Sequence, residues 1–366
     1  MASVLIYRIG SLGDTLVALP AMWTVRRHFA DARITLLCDH HPRKNHVLAT
    51  DLLNGSGVVD DFLTYPVINS RLGRLTRPLR MARLLATLRK RKFDTLVYLA
   101  PTESLLDRLQ RDRQFFQAAG IRQLIGFEPT GHEVRSTEKR PSHTLPRESE
   151  LLLRRLELSG IPMSAAGELR SDLGIGEPEK TLVRDWLAGL PSDGGRPWIA
   201  LGPGSKMPVK IWPAERYDQV VRSLIEQFDI WPVVFGGSED RQIGEQLIRG
   251  WGRGYLAAGA IGLRASAAAI GRCILYLGND TGTMHMAASE GVQCVAIFSS
   301  RSSPGLWYPY GENHRIFRTT IECQGCMLEV CIDRKMQCIL SINTSEVDSA
   351  CRGILNRVLT TPMIQR

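Results

Sequence analysis

Gly278-Asn279-Asp280-Thr281-Gly282-Thr283-Met284-His285 follows the apolar run Cys273-Ile-Leu-Tyr-Leu277 and precedes Met286-Ala-Ala-Ser-Glu290. The apolar run reads as a buried strand and the segment after the turn as a helix. Beyond Gly291 comes a second apolar run, Gln293-Cys-Val-Ala-Ile-Phe298. Strand, tight turn, helix, strand is one βαβ unit. The turn then lies at the carboxyl end of a parallel strand, where open α/β sheets bind ligands. Gly278 and Gly282 permit close backbone approach. Asp280 or Thr281 can cap the helix, leaving N–H groups at its start to receive an anion. Taken alone, the stretch also fits a helix that Asp280 merely caps, with His285 a satisfied helix histidine. The rest of the chain decides between the two.

The N-terminus repeats the pattern. Ser3-Val-Leu-Ile-Tyr7 is a strand, Arg8-Ile-Gly-Ser-Leu-Gly-Asp14 a turn, Thr15 to Phe29 a helix that Pro20 bends or restarts, and Arg33-Ile-Thr-Leu-Leu-Cys38 the next strand. Asp14 sits where the turn becomes helix, a place that an N-cap would also occupy. Gly10-x-x-Gly13 lacks the G-x-G-x-x-G spacing, and no G-x-x-x-x-G-K-[ST] occurs, so dinucleotide and P-loop fingerprints are both missing. Asp94 to Ala100 and Gln123 to Phe127 read as further strands. Ser104 to Ala119, bearing Arg108 and Arg111, reads as a helix, as does Glu148 to Gly160. Residues 128–147 are polar and irregular, and the weak pattern of 161–177 marks an interdomain linker. A second alternation follows. Trp198-Ile-Ala-Leu201 leads into the loop Gly202-Pro-Gly-Ser-Lys-Met-Pro-Val-Lys210, and Trp231-Pro-Val-Val-Phe235 into Gly236-Gly-Ser-Glu239. Arg264 to Arg272 is a small-residue helix that feeds the Cys273 strand.

This alternation predicts an α/β protein of two Rossmann-like domains with parallel sheets facing a central cleft. The first spans residues 1–170, the second 171–345, and 346–366 holds a last helix. In this arrangement Asp14, Lys206, Lys210, Glu239 and the Asp280–His285 turn are all strand-to-helix loops and gather at sheet edges. Cations, glycines and helix starts in the second half suit a diphosphate. The carboxylate in the first suits a general base.

Bulk properties narrow the function. The chain has 366 residues, 44% of them hydrophobic, and a net charge of +9. No apolar run approaches the roughly 20 residues that span a bilayer, and the first residues lack a signal-peptide pattern, so a cytoplasmic protein is expected. The positive charge points to an acidic partner: a nucleotide, a phosphorylated lipid, an anionic membrane or nucleic acid. From Phe62 to Phe93 there is no acidic residue, while Arg71, Arg74, Arg77, Arg80, Arg83, Arg89, Lys90, Arg91 and Lys92 are basic. The run reads either as a solvated, partly irregular surface or as a patch for an anionic acceptor or leaflet. No nucleic-acid-binding module is recognisable. Near the C-terminus, Cys323, Cys326, Cys331 and Cys338 are spaced C-x₂-C-x₄-C-x₆-C, which suits tetrahedral Zn²⁺ or a single iron in a structural role; reduced thiols packing a loop are the alternative.

Five pieces together, Ile9-Gly-Ser-Leu-Gly-Asp-Thr-Leu-Val-Ala-Leu-Pro-Ala21, Gly202-Pro-Gly-Ser205, Lys210-Ile-Trp-Pro213, Gly236-Gly-Ser-Glu239 and Asn279-Asp-Thr-Gly-Thr-Met-His285, resemble the heptosyltransferase-type glycosyltransferases of family 9. Their order and separation fit across nearly the whole chain. The resemblance implies the GT-B fold and inverting transfer of heptose from ADP-heptose to the inner core of lipopolysaccharide. It implies Asp14 as the general base and Lys210 as the cation that meets the donor phosphates. Ser205, Lys206, Glu239, Asp280, Thr281, Gly282 and His285 become donor contacts, and Arg108 and Arg111 candidate acceptor contacts. It also implies that transfer needs no metal, that the acceptor is an anionic lipid-linked oligosaccharide, that the enzyme is cytoplasmic and peripheral to the inner membrane, and that the last helix packs back on the first domain. The rival readings are a same-fold enzyme using a protein acceptor or another nucleotide sugar, a nucleic-acid-binding protein, and an oxidoreductase with two Rossmann-like halves.

Overall fold

A computed structural model describes residues 1–39, 48–66, 71–103, 105–133, 135, 137–163 and 169–360, with the backbone alone for 71–75. The chain divides into two compact units, Met1–Arg140 with Leu145–Gly174, and Pro141–Thr144 with Ile175–Arg366. The main crossing thus falls inside the weakly patterned 161–177 segment.

The first unit runs β1 (Ser3–Tyr7), α1 (Leu12–Val17), α2 (Leu19–His28), β2 (Arg33–Asp39), α3 (Ala49–Leu53), β3 (Asp61–Tyr65), α4 (Arg71–Arg91), β4 (Thr95–Tyr98), α5 (Leu109–Ala118), β5 (Gln123–Ile125) and α6 (Glu148–Leu158). Its five strands are parallel, in the order β3-β2-β1-β4-β5. Residues 4–7 of β1 and all four of β4 are buried, as a sheet covered on both faces requires. An aromatic stack ties the two central strands to the turn after β5: Tyr7 lies on Tyr98 with centroids 5.1 Å apart, and Tyr98 on Phe127 at 4.4 Å.

The second unit runs α7 (Glu177–Ala188), β6 (Trp198–Gly202), α8 (Ala214–Phe228), β7 (Trp231–Val234), α9 (Arg241–Trp251), β8 (Tyr255–Leu256), α10 (Leu263–Ile270), β9 (Leu275–Asn279), α11 (Gly282–Ser289), β10 (Cys294–Phe298), β11 (Arg315–Arg318), α12 (Gln337–Leu340) and α13 (Thr344–Thr360). Its six parallel strands are ordered β11-β10-β9-β6-β7-β8. Each unit is thus an α/β, Rossmann-like domain with an all-parallel sheet, as expected from the sequence.

Two local expectations are refined. Pro20 restarts the N-terminal helix rather than bending it: α1 ends at Val17 and α2 begins at Leu19 with the proline in its first turn, where a missing N–H costs nothing. The basic run is not irregular. Arg71–Arg91 is one helix with Pro78 inside it, held by Leu84 and Leu88, which are buried in the first unit's core. The last helix buries an apolar stripe within the second unit. Val347, Cys351, Ile354 and Leu355, all on one stripe of α13, are fully buried in the second unit's core beside Tyr217, Val221 and Leu224 of α8. The expected start of α5 at Ser104 lies outside the described residues; the helix itself begins at Leu109.

Candidate functional site

In each sheet the chain leaves one central strand in one direction and returns to its other side. The reversal falls between β1 and β4 in the first unit and between β6 and β9 in the second. Neighbouring strands part there at their carboxyl ends, which opens a crevice for a ligand.

At the second unit's reversal, the loop after β6 and the turn after β9 are fastened by Asn279. Its side chain is fully buried. Its Oδ1 accepts from the Trp212 amide at 3.1 Å and the Tyr217 hydroxyl at 2.9 Å, and its Nδ2 donates to the Pro203 carbonyl at 2.7 Å. With both loops fixed, Lys210 and Asp280 meet. Lys210 Nζ lies 2.6 Å from Asp280 Oδ2 and donates to the Asp280 carbonyl at 3.2 Å. Both side chains are largely buried, at 16% and 5% exposure. These contacts take two of the three ammonium hydrogens.

Thr281 holds the N-cap position of α11, yet its hydroxyl caps nothing. It pairs with the Thr283 hydroxyl at 2.9 Å, which in turn pairs with the Tyr276 hydroxyl at 2.8 Å. The Tyr276 ring runs beneath the two strand-end glycines. A Cβ at Gly202 would fall 2.0 Å from its hydroxyl and one at Gly278 2.3 Å. Gly282 opens α11, and His285 is buried on the same helix. Ser205 Oγ accepts from the Met207 amide at 3.1 Å, shaping the loop before Lys210. Lys206 is exposed on that loop.

Glu239 is exposed, while its neighbour Asp240 turns inward. The Asp240 carboxylate accepts from the Gly237 amide at 2.9 Å and lies so close over Gly204 and Gly236 that a Cβ there would come within 1.8 and 2.3 Å of its oxygens. Burial pushes this carboxyl above the usual range, against the opposing pull of the Gly237 hydrogen bond and the charge of Lys206. Asp240 was not singled out from the sequence. Only part of the signal was local: Gly236 lies four residues upstream, whereas Gly204 comes from another loop.

At the first unit's reversal, Asp14 is not the cap of α1. Ser11 is, and Asp14 is the third residue of the helix, in a capping box with it. Asp14 Oδ2 accepts from both the Ser11 amide and the Ser11 hydroxyl at 2.7 Å. Its side chain keeps 21% exposure. Gly10, at φ +137°, has its amide on Asp39 at 3.0 Å, and a Cβ added there would sit 2.5 Å from Asp14 Cβ and Cγ. Behind Asp14 the buried Arg8 guanidinium donates to the Asp14 and Leu99 carbonyls, each at 2.8 Å. Arg8 also escaped the sequence reading, since nothing in Tyr7-Arg8-Ile9 reveals that the side chain folds inward.

The candidate acceptor contacts are partly engaged. Arg108 donates to the Pro101 carbonyl at 2.9 Å. Arg111 pairs with Asp112 at 2.8 Å, and Asp112 also accepts from Tyr98. Cys323, Cys326, Cys331 and Cys338 border one cavity of about 200 Å³, together with Arg301 and Asp333. Cys338 belongs to the hydrophobic core, whereas Cys326 is exposed. Among the described residues no three His, Cys, Asp or Glu side chains converge as metal ligands.

With this geometry in hand, comparison with known proteins is decisive for the family. The model of glycosyltransferase family 9 (heptosyltransferase) matches residues 81–337, more than half of the chain. The chain belongs to glycosyltransferase family 9. It is 30% identical over 155 residues to lipopolysaccharide heptosyltransferase 2 of Salmonella typhimurium strain LT2, a match covering 40% of this chain and 42% of that one. The Escherichia coli K12 protein of the same name is 30% identical over 154 residues, with the same coverage. The chain therefore spans well under half the length of these relatives. In fold, a family 9 glycosyl transferase from Veillonella parvula matches with a TM-score of 0.71 at 20% identity, over 97% of this chain and 98% of that one. The E. coli ADP-heptose lipopolysaccharide heptosyltransferase II matches with a TM-score of 0.67 at 19% identity, over 98% and 100%.

Because Gly10 both adopts a positive φ and touches Asp14, Gly10→Ala is expected to displace the carboxylate while leaving the two sheets intact. The circular dichroism spectrum should be retained, and any catalytic turnover lost. Wild-type turnover in this variant would show that Asp14's placement does not matter.

Proposed function

We propose that this family 9 enzyme is an inverting heptosyltransferase that moves heptose from ADP-heptose to the inner core of lipopolysaccharide. The carrying observation is the Lys210–Asp280 pair, a cation held by buried hydrogen-bonded loops at the second unit's reversal. The partly exposed Asp14 at the first unit's reversal supports it, as do the names of the relatives. In this reading the first unit takes the acceptor and the second the nucleotide sugar.

The acceptor hydroxyl oxygen bonds to the anomeric carbon as the carbon–oxygen bond to the diphosphate breaks. The hydroxyl proton goes to Asp14, and the bonding electrons leave with the diphosphate of ADP. Asp14 suits the base role because Ser11 fixes one of its oxygens and the side chain retains exposure. Lys210, with a hydrogen still to give, and the N-terminal amides of α11 take the developing phosphate charge. Asp280 aims the lysine. Ser205, Lys206, Thr281, Gly282 and His285 complete the donor loops. Asp240 joins the exposed Glu239 as a candidate for the nucleoside end, because its carboxylate is the one folded onto Gly204 and Gly236.

Two finer readings accompany this one. The enzyme is placed in the cytoplasm, peripheral to an anionic membrane that carries its acceptor. Among the described residues no helix is long and apolar enough to cross a membrane. The outer stripe of α4 exposes Leu79, Arg83 and Lys90, with Arg80 beside it and no acid between. The four cysteines, which border one cavity without three of them converging as ligands, are read as a structural zinc or iron site on the strength of their chemistry and spacing.

Asp14→Ala should lower kcat by about 10²–10⁴, leaving a residual rate, with ADP affinity nearly intact; lost ADP binding contradicts the base role. Lys210→Ala should weaken ADP binding and lower kcat by about 10²–10³; unchanged kinetics move the role to Lys206. Vesicles rich in phosphatidylglycerol should sediment the wild-type protein at low salt and release the Arg80→Glu/Arg83→Glu/Lys90→Glu variant; equal binding removes α4 from the interface. Acid digestion of purified protein should yield one zinc or iron per chain, and its absence leaves the cysteines as packing thiols.

A further inference from the structure

Arg8 is an arginine with 2% of its surface exposed, at the carboxyl end of the central strand of the first sheet. Burying a guanidinium costs several kcal/mol, and such charges are poor contributors to stability compared with apolar packing. Its contacts show what it is spent on. Nε donates to the Asp14 carbonyl and Nη1 to the Leu99 carbonyl at the end of β4. Nη1 also meets Glu148 Oε1 at 3.3 Å. Nη2 has no hydrogen-bond acceptor and stands 3.8 Å from Asp14 Oδ1, the oxygen that Ser11 does not hold. Glu148, fully buried at the start of α6, completes the link by accepting from the Thr102 amide with both oxygens, at 3.1 and 3.2 Å.

One planar side chain therefore spans the two strand ends that flank the reversal and touches Asp14 through both its backbone and its carboxylate. We propose that Arg8 is a positioning residue for Asp14, held in turn by Glu148. The Arg8 fork fixes the first turn of α1 against β4 and sets the direction of Oδ1, the oxygen left to receive the acceptor proton. A lysine reaches one of these partners at a time, whereas the guanidinium reaches all of them at fixed angles. The inference rests on Asp14 being the base.

The test is a double-mutant cycle on the full chain, with ADP-heptose as donor and heptose-deficient lipopolysaccharide core as acceptor. Arg8→Met is expected to lower kcat by about 10²-fold, the size of effect that a misplaced catalytic group produces. The KM for ADP-heptose should not move, and Arg8→Lys should recover part of the rate. In an Asp14→Asn background, Arg8→Met should cost nothing further, since the group it positions is gone. Multiplying losses would overturn the inference and make Arg8 a fold residue only. Should Arg8→Met fail to fold, Glu148→Gln keeps the shape and the Thr102 bond; its smaller loss in kcat must likewise vanish beside Asp14→Asn, and persistence overturns the proposal. An Asp14→Asn enzyme of wild-type rate is a separate outcome: it removes the base reading, and this inference with it.

Discussion

The buried amide of Asn279 is the constraint on which the second unit's site depends. A parallel sheet ends in loops whose backbone groups have no ladder partners, and at a strand reversal two such loops face each other. Asn279 answers both at once. It accepts from Trp212 and Tyr217 and donates to Pro203, so the loop after β6 is tied to the end of β9, next to Asp280. Only with that distance fixed does Lys210 reach Asp280 across 70 residues of sequence. A buried lysine–carboxylate pair is a poor source of stability. Its persistence at a glycine-lined loop therefore reads as a charge kept for a ligand.

The first unit solves the same problem with a different device. There the reversal is bridged by Arg8, and the carboxylate beside it is fixed by Ser11 through a capping box. Gly10 is dictated by both space and dihedral: any side chain would strike Asp14. Both units thus place one charged side chain at a strand end and hold it from behind with buried hydrogen bonds. Preorganisation of this kind is what makes a fixed charge effective in a reaction.

Much of this was legible in the order of residues. Apolar runs between glycine turns identified nearly every central strand, because strands buried on both faces read as continuous hydrophobic stretches. The edge strand Gln123–Ile125 was visible, but Asp61–Tyr65 and Arg315–Arg318 at other edges were not: they are half covered, and their patterns are too mixed to distinguish from loop. Pro78 made the basic segment look broken, though the Leu84 and Leu88 contacts hold the helix. The stripe along Val347, Cys351, Ile354 and Leu355 announced an amphipathic helix, but periodicity cannot say which core receives it. For the candidate site, Asp14, Lys210 and Asp280 were singled out from motif position. That Lys210 and Asp280 form a pair, that Arg8 turns inward, and that Asp240 lies over Gly204 all depend on contacts between distant loops, which local sequence does not encode.

The central claim is that the loops around Asn279, Lys210 and Asp280 form a site for the diphosphate of an adenine nucleotide sugar. Calorimetric titration of the purified chain with ADP, UDP and GDP tests it most directly, before any acceptor is chosen. The account predicts ADP binding that exceeds UDP and GDP and is weakened by Lys210→Ala. Preference for UDP or GDP would contradict the heptose donor while keeping the glycosyltransferase. Failure to bind any of the three would contradict the donor site itself.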